Sequence, residues 1–568
     1  MRVLPKIGTV AAALFVLPGL ACQASVEPDR LGAEGGGAAA TAGGSGNLAG
    51  SAPLPTESQA EALLPARIRR LTVAEYQATV SDPAVVGDAA AGVSANFVPD
   101  SRQNGFTVNA AQLVDPLFAA QLADAASSLA ASIREHAAER APCLSPSVDP
   151  CAESFIRGFG EKAYRRPLAD DEVTQLMAVF RAAFDGGSYE EGIELVARAM
   201  LQSASFMYHT QSGEGAGASV KLNPYELASS ISYLVQGGPP SALLLDRAKS
   251  GQLDTPEGRT ALLADKQVAL FDGPMAAGRV TRVLREWLGI DKIADIAKDS
   301  NFYPEFEGAR GAMADETLAF VYALVSQDGQ GSLRQLLAAD WTMANHALGP
   351  VYGANKVPLG ATFERLSTPD RLGILNQGAF LSVFAHAQEA APVLRGVAVM
   401  RRVACMALAD PSKLGLSVVP PLPDPTKSLR ERFAVHSETP GCASCHNSID
   451  NFGFAFGRFD AMGRKDDDAA IDSSVVVTGT DFDGSYADSS QLATALSTST
   501  QVRQCFARQI FRALSATSDP AFRASEDDFV KYWDTTLQRD AGKVEDVYVI
   551  GTIGAFLTNP NFNVRRVP

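Results

Sequence analysis

The chain has 568 residues, 46% of them hydrophobic and 20% charged, which excludes a disordered or fibrous protein and allows several packed domains. Acidic residues outnumber Lys and Arg by 64 to 49, a formal charge of −15, and no basic block stands out along the sequence. Nucleic acid is therefore excluded as an expected partner.

At the N-terminus, Arg2 and Lys6 lead an uncharged apolar run from Ile7 to Ala21. A positive start and a short apolar run form an export signal, and the run is short for a bilayer-spanning helix. Its end, Pro18-Gly19-Leu20-Ala21-Cys22-Gln23, resembles the lipobox of bacterial lipoproteins, with Gly19 where Leu is usual. The resemblance implies lipidation at Cys22; the alternative is an ordinary cleaved signal in which Cys22 is incidental. Residues 1–22 are thus expected to be a lipoprotein-type signal peptide. Residues 23–62, rich in Ala, Gly and Ser, have the composition of a linker.

Beyond the linker, helical periodicity dominates. Val173, Leu176, Met177, Phe180 and Phe184 follow one helix face, and the spacing predicts a cap at Asp170. Leu318, Val321, Tyr322 and Val325 repeat the pattern, as do Val502, Cys505, Phe506 and Ile510. Strand-like alternation is scarce, best over Ser474–Thr480, and the following Asp481-Phe-Asp483-Gly484 lacks the further acidic ligands of a calcium loop, so it reads as a turn.

Of seven cysteines, six remain once Cys22 is set aside, an even number that suits an oxidising compartment. Cys143 and Cys151 bracket a short polar loop that a local disulfide would close. Cys405 and Cys505 are left for a long-range pair by parity alone.

The remaining two stand in Cys442-Ala-Ser-Cys445-His446. On one helical turn these three side chains share a face, so two thiols can add to the vinyl groups of a haem while the adjacent imidazole binds its iron. Given seven Cys and six His, chance produces C-x-x-C-H about once in a thousand such chains. One haem c, covalently held by Cys442 and Cys445 with His446 as axial ligand, is the leading expectation. A Cys442–Cys445 disulfide and a zinc site are the alternatives, although no second pair with zinc-ligand spacing exists. For the second axial ligand, His436 and Met462 are both candidates. Phe452, Phe454, Phe456 and Phe459 offer an aromatic wall, or an ordinary core, and Arg458 and Arg464 are candidates for the propionates. His136, His209, His346 and His386 are scattered singly and read as surface or satisfied structural residues.

Taken together, Arg69-Arg-Leu-Thr-Val-Ala-Glu-Tyr76, Ala163-Tyr-Arg-Arg-Pro-Leu-Ala-Asp-Asp-Glu172, Leu222-Asn-Pro-Tyr-Glu-Leu-Ala228, Arg371-Leu-Gly-Ile-Leu-Asn-Gln-Gly378, Ala391-Pro-Val-Leu-Arg-Gly396 and the haem motif carry a resemblance. They resemble, in order, a family of large exported bacterial cytochrome-like proteins built of consecutive domains of unknown function, with the haem motif in the fourth. Asn451 stands where the family commonly has Pro. The resemblance implies that Arg69–Tyr76 begins an opening helix. The expected domains are 63–141, 142–214 and 215–345, all helical, then a cytochrome-c-like domain over 346–470 and a C-terminal helical domain over 471–568. The expected fold class is mostly α: a multi-domain helical architecture with a small cytochrome-c-like haem region and few short strands.

The expected function is periplasmic or cell-surface electron transfer by a lipid-anchored mono-haem cytochrome, at the outer membrane in preference, with a redox protein or small-molecule donor or acceptor as partner. Two other classes stay open. One is a haem-dependent oxidase or peroxidase acting outside the cytoplasm. The other is a non-enzymatic surface lipoprotein that binds a partner or glycan, with Cys442–Cys445 as a disulfide.

Overall fold

A computed structural model describes residues 64–567 except 146, 328–330, 410–423, 425, 439, 469, 517–522 and 542–548. The signal run, Cys22 and the linker lie outside the described residues. The fold is mostly α, with helices joined by short strands in small sheets. Among the described residues, no helix is long and apolar enough to cross a membrane.

Two hydrophobic cores organise the body. The first is built on Pro116–Glu135, Val148–Tyr164, Asp170–Phe184 and Tyr189–Leu201, whose buried stripes meet around Leu129, Ile156, Phe180 and Val196. Most of segments 63–141 and 142–214 share this core. The second takes in Leu64 and Phe106 and then runs from Leu222 to Phe562, so the segments 215–345, 346–470 and 471–568 pack as one.

Local chemistry accounts for several element boundaries. Arg67–Arg70 is a strand, and the helix begins only at Val73, a correction to the helix expected from Arg69. Thr72 caps that helix: Glu75 N donates to its hydroxyl, and the Glu75 carboxylate accepts from Thr72 N. The predicted Asp170 cap is also displaced by one residue. Ala169 is the cap position, with no side chain to offer, and the Glu172 carboxylate accepts from Ala169 N at 2.9 Å. The predicted strand over Ser474–Thr480 narrows to Val475–Val477, which pairs antiparallel with Gly484–Tyr486.

The C-x-x-C-H sequence lies on helix Pro440–Phe454, the motif helix, whose main neighbour is helix Pro392–Ala398, the clamp helix. Two glycines let them touch backbone to backbone. A Cβ on Gly396 would sit 2.1 Å from the carbonyl oxygen of Ile449, and one on Gly453 would sit 1.9 Å from that of Pro392. Beside this crossing, the fully buried Arg395 donates to the carbonyls of Leu381 (3.0 Å), Phe456 (3.1 Å), Phe459 (2.7 Å) and Asp460 (2.6 Å). Its guanidinium thereby gathers the turn that follows the motif helix, and burial lowers its pKa to about 10, leaving it charged at neutral pH.

Because neither carbonyl can yield without moving a helix, Gly396→Ala and Gly453→Ala are each expected to cost about 1–3 kcal/mol or more. Gly158→Ala, in an exposed helical position with nothing within 4 Å of the added Cβ, is the control, expected to gain up to about 1 kcal/mol. Urea unfolding of the three variants checks the contrast; equal stabilities would refute the close crossing.

Candidate functional site

The eleven residues between Gly441 and Gly453 contain no helix breaker. On this helix Cys442, Cys445 and His446 project to one side. Both thiols are free and half-buried, and Cys445 leans on the edge of the larger core. The other four described cysteines are bridged, Cys143 to Cys151 and Cys405 to Cys505, with Cα separations of 5.2 Å and 5.4 Å.

His446 is held by its own helix. Its Nδ1 lies 2.9 Å from Oδ1 of Asp450, one turn on, and in the tautomer that donates this bond Nε2 keeps its lone pair for a ligand. Asp450 is buried, and its second oxygen, Oδ2, has no partner among the described residues. The i, i+4 spacing of His446 and Asp450 was available in the sequence and is the signal that identifies this carboxylate.

His436 comes from the preceding helix, Leu429–Glu438. Its ring centroid is 4.3 Å from that of His446, with the planes inclined at 49°. Burial, then the neighbouring His446, lowers the His436 pKa below the ordinary histidine value, so the ring is neutral at pH 7. Its Nδ1 is buried without a partner. Phe433 meets the His436 ring edge-on at 5.3 Å and Phe454 at 6.5 Å, while the Arg430 guanidinium covers Phe454 at 4.5 Å. One donor atom each from His436, His446 and Asp450 lies within 4.8 Å of the others, a spacing from which a metal ion can be held.

The fit to a haem divides in two. Attachment is served by the two free thiols and the free Nε2. Simultaneous axial ligation is not, because two imidazoles on opposite sides of one iron have centroids about 6 Å apart, given metal–nitrogen bonds of about 2 Å. At 4.3 Å the two rings touch each other. Met462, the other candidate, is wholly buried in the turn beside Asp460, whose Oδ1 accepts from Met462 N.

Other predicted neighbours are distributed differently. Phe452, Phe456 and Phe459 are core residues, packed with Phe482, Phe380 and the Arg371 guanidinium respectively. Only Phe454 joins the aromatic side of the histidine pair. Arg464 is engaged by Asp460 at 2.7 Å. The guanidinium of Arg458 makes no ion pair among the described residues. His136 and His346 bond to the carbonyls of Ser132 and Gly360, as satisfied structural residues do. His209 does not: it is buried, and both ring nitrogens lack partners.

Four consecutive segments match families of proteins of unknown function: residues 69–135 (PSD3, DUF1587), 151–211 (PSD5, DUF1595), 222–354 (PSD4, DUF1592) and 371–468 (PSCyt3, DUF1588). The last of these contains the clamp helix, the motif helix and Arg395, and its short name carries a cytochrome abbreviation. No curated protein and no solved structure matches the chain.

In haem-free protein, iodoacetamide under native, non-reducing conditions is expected to alkylate Cys442 and Cys445. Cys143, Cys151, Cys405 and Cys505 should be labelled only after reduction. Peptide mass mapping reads both; an unlabelled Cys442–Cys445 peptide that reacts only after reduction would establish a disulfide there instead.

Proposed function

We propose that this multi-domain chain, assembled from consecutive domains of unknown function, is an exported mono-haem c-type cytochrome that carries single electrons between redox partners outside the cytoplasm. The observation that carries the reading is the pair of free thiols beside an imidazole whose Nδ1 is already taken by Asp450. Cys442 and Cys445 would hold the haem through thioether bonds and His446 would bind its iron through Nε2. Bound there, the haem supplies a one-electron couple.

The chain's own groups prepare that position. Asp450 fixes the His446 ring and increases its basicity as a ligand. Gly396 and Gly453 fix the height of the motif helix above the core, and Arg395 fixes the turn beyond it. His436, in contact with the His446 ring, would have to move aside before a haem could reach Nε2. To serve as a second ligand, His436 or Met462 would have to leave the position it holds here. At the N-terminus, the signal and lipobox-like sequence support an acyl anchor at Cys22, which would tether the electron carrier to a membrane surface, the outer membrane in preference.

The compact His436–His446–Asp450 group favours one second reading: a divalent transition metal held by two imidazoles and a carboxylate. The two readings separate cleanly when the full chain is exported alongside a cytochrome c maturation system. The haem reading expects one covalent haem per chain by pyridine haemochrome, none in the Cys442→Ala, Cys445→Ala double variant, and lost maturation or a changed spectrum in His446→Ala. A spectrum without haem bands, with a metal content that Asp450→Asn abolishes and the cysteine changes spare, would replace it with the second. For the anchor, fatty-acid labelling is expected in the wild type and absent in Cys22→Ala; an unlabelled wild-type product refutes it.

A further inference from the structure

Far along the sequence from the haem motif, strand pairing assembles an unusual concentration of positive charge. Strand Arg67–Arg70 runs antiparallel to Tyr208–Gln211, with Arg67 opposite Gln211 and Arg69 opposite His209. Alternation along each strand places these four side chains on one face of the ribbon. Arg279 joins them from helix Pro274–Leu288 and Arg565 from the C-terminal strand Val564–Arg566. Together they line a cavity of about 20 Å³.

Charge does not balance within the lining, although Glu226 acts on Arg565 and Glu286 on Arg279 from outside it. Glu75 is the only carboxylate in the lining, and it is committed to Arg69 by two hydrogen bonds of 2.6 Å and 3.0 Å. The remaining three guanidiniums meet neutral acceptors: Arg67 the Gln211 side chain and the Ser515 carbonyl, Arg279 the Leu234 carbonyl, and Arg565 the carbonyls of Phe562 and Val564. None forms an ion pair among the described residues. Two further donors are idle, since Nε of Arg565 and both nitrogens of His209 are buried without partners. Burial lowers the pKa of Arg565 to about 9 and that of Arg279 to about 10, and both stay cationic at neutral pH.

Buried charge of this kind, without an ion-pair partner, opposes folding unless something compensates it. A water molecule would meet the hydrogen-bonding need of His209 but would leave the charge. A negative ion answers both, and the volume, suited to about one water-sized occupant, selects its size. We propose that this cavity is a resident site for one small monovalent anion of the chloride class, bound by Arg67, Arg279, Arg565 and an N–H of neutral His209. The ion would join the pair of strands Arg67–Arg70 and Tyr208–Gln211 to strand Val564–Arg566, and so act as an internal staple.

Bromide is the direct probe. Crystals of the full chain grown in sodium bromide are expected to show an anomalous peak at the bromine edge within the cavity, at hydrogen-bonding distance from Arg565 and His209. Melting temperature should rise saturably when sodium gluconate is exchanged for sodium chloride at constant ionic strength. In Arg279→Gln the half-saturating chloride concentration should increase at least tenfold. Bromine peaks confined to the surface, or wild-type melting temperatures equal in chloride and gluconate, would overturn the proposal even if the variant fails to fold.

Discussion

The distance between two helices governs the candidate site. Where the clamp helix crosses the motif helix, the absence of two β-carbons brings main chains into direct contact, and every neighbouring feature is set by that separation. Arg395 reaches four carbonyls because its own Cα sits next to Gly396 at the crossing point. Three of those carbonyls, of Phe456, Phe459 and Asp460, belong to the turn after the motif helix, where Asp460 also holds Arg464. On the other side of the motif helix, Cys445 leans on the core edge while His446 faces His436. A wider crossing would loosen all of these at once, because none is fixed by an independent covalent link.

Arg395 is also one instance of a device used throughout the body. Arg259 is fully buried and donates to the carbonyls of Leu253 (2.8 Å), Leu557 (2.6 Å) and Asn559 (2.9 Å). Arg165 does the same for Phe206 and Tyr208, both at 2.9 Å. Short helices leave many carbonyls without helical partners, and each would cost free energy if buried alone. A guanidinium, with five donors in one plane, collects several of them. An acidic protein thus keeps a share of its positive charge inside, where it serves as connective structure.

What could be read from sequence follows the range of each interaction. The helix faces of 170–184 and 500–515 were visible because their apolar spacing is local, and the motif spacing of 442–446 carries its meaning within one turn. The strand at Arg67–Arg70 was not visible: its partner is about 140 residues away, and four residues rich in arginine show no strand pattern. Gly396 and Gly453 gave no sign of their role, since a glycine required by a neighbouring carbonyl looks in sequence like any other glycine. The isolation of His209 was equally hidden, because only the fold surrounds it with arginines. His436 is a candidate by proximity in the chain, but its 4.3 Å contact with His446 belongs to tertiary structure alone.

The Cys405–Cys505 bridge spans 100 residues and encloses the entire motif helix in a covalent ring. This has a mechanical meaning. Tension applied between the N-terminal segment and the C-terminal strand travels through the sulfur–sulfur link and bypasses the chain between them. Residues 406–504, which include both free thiols and the histidine pair, carry no load while the bridge stands. Force that extends the chain outside the ring leaves the backbone within it unstretched for as long as the sulfur–sulfur link holds.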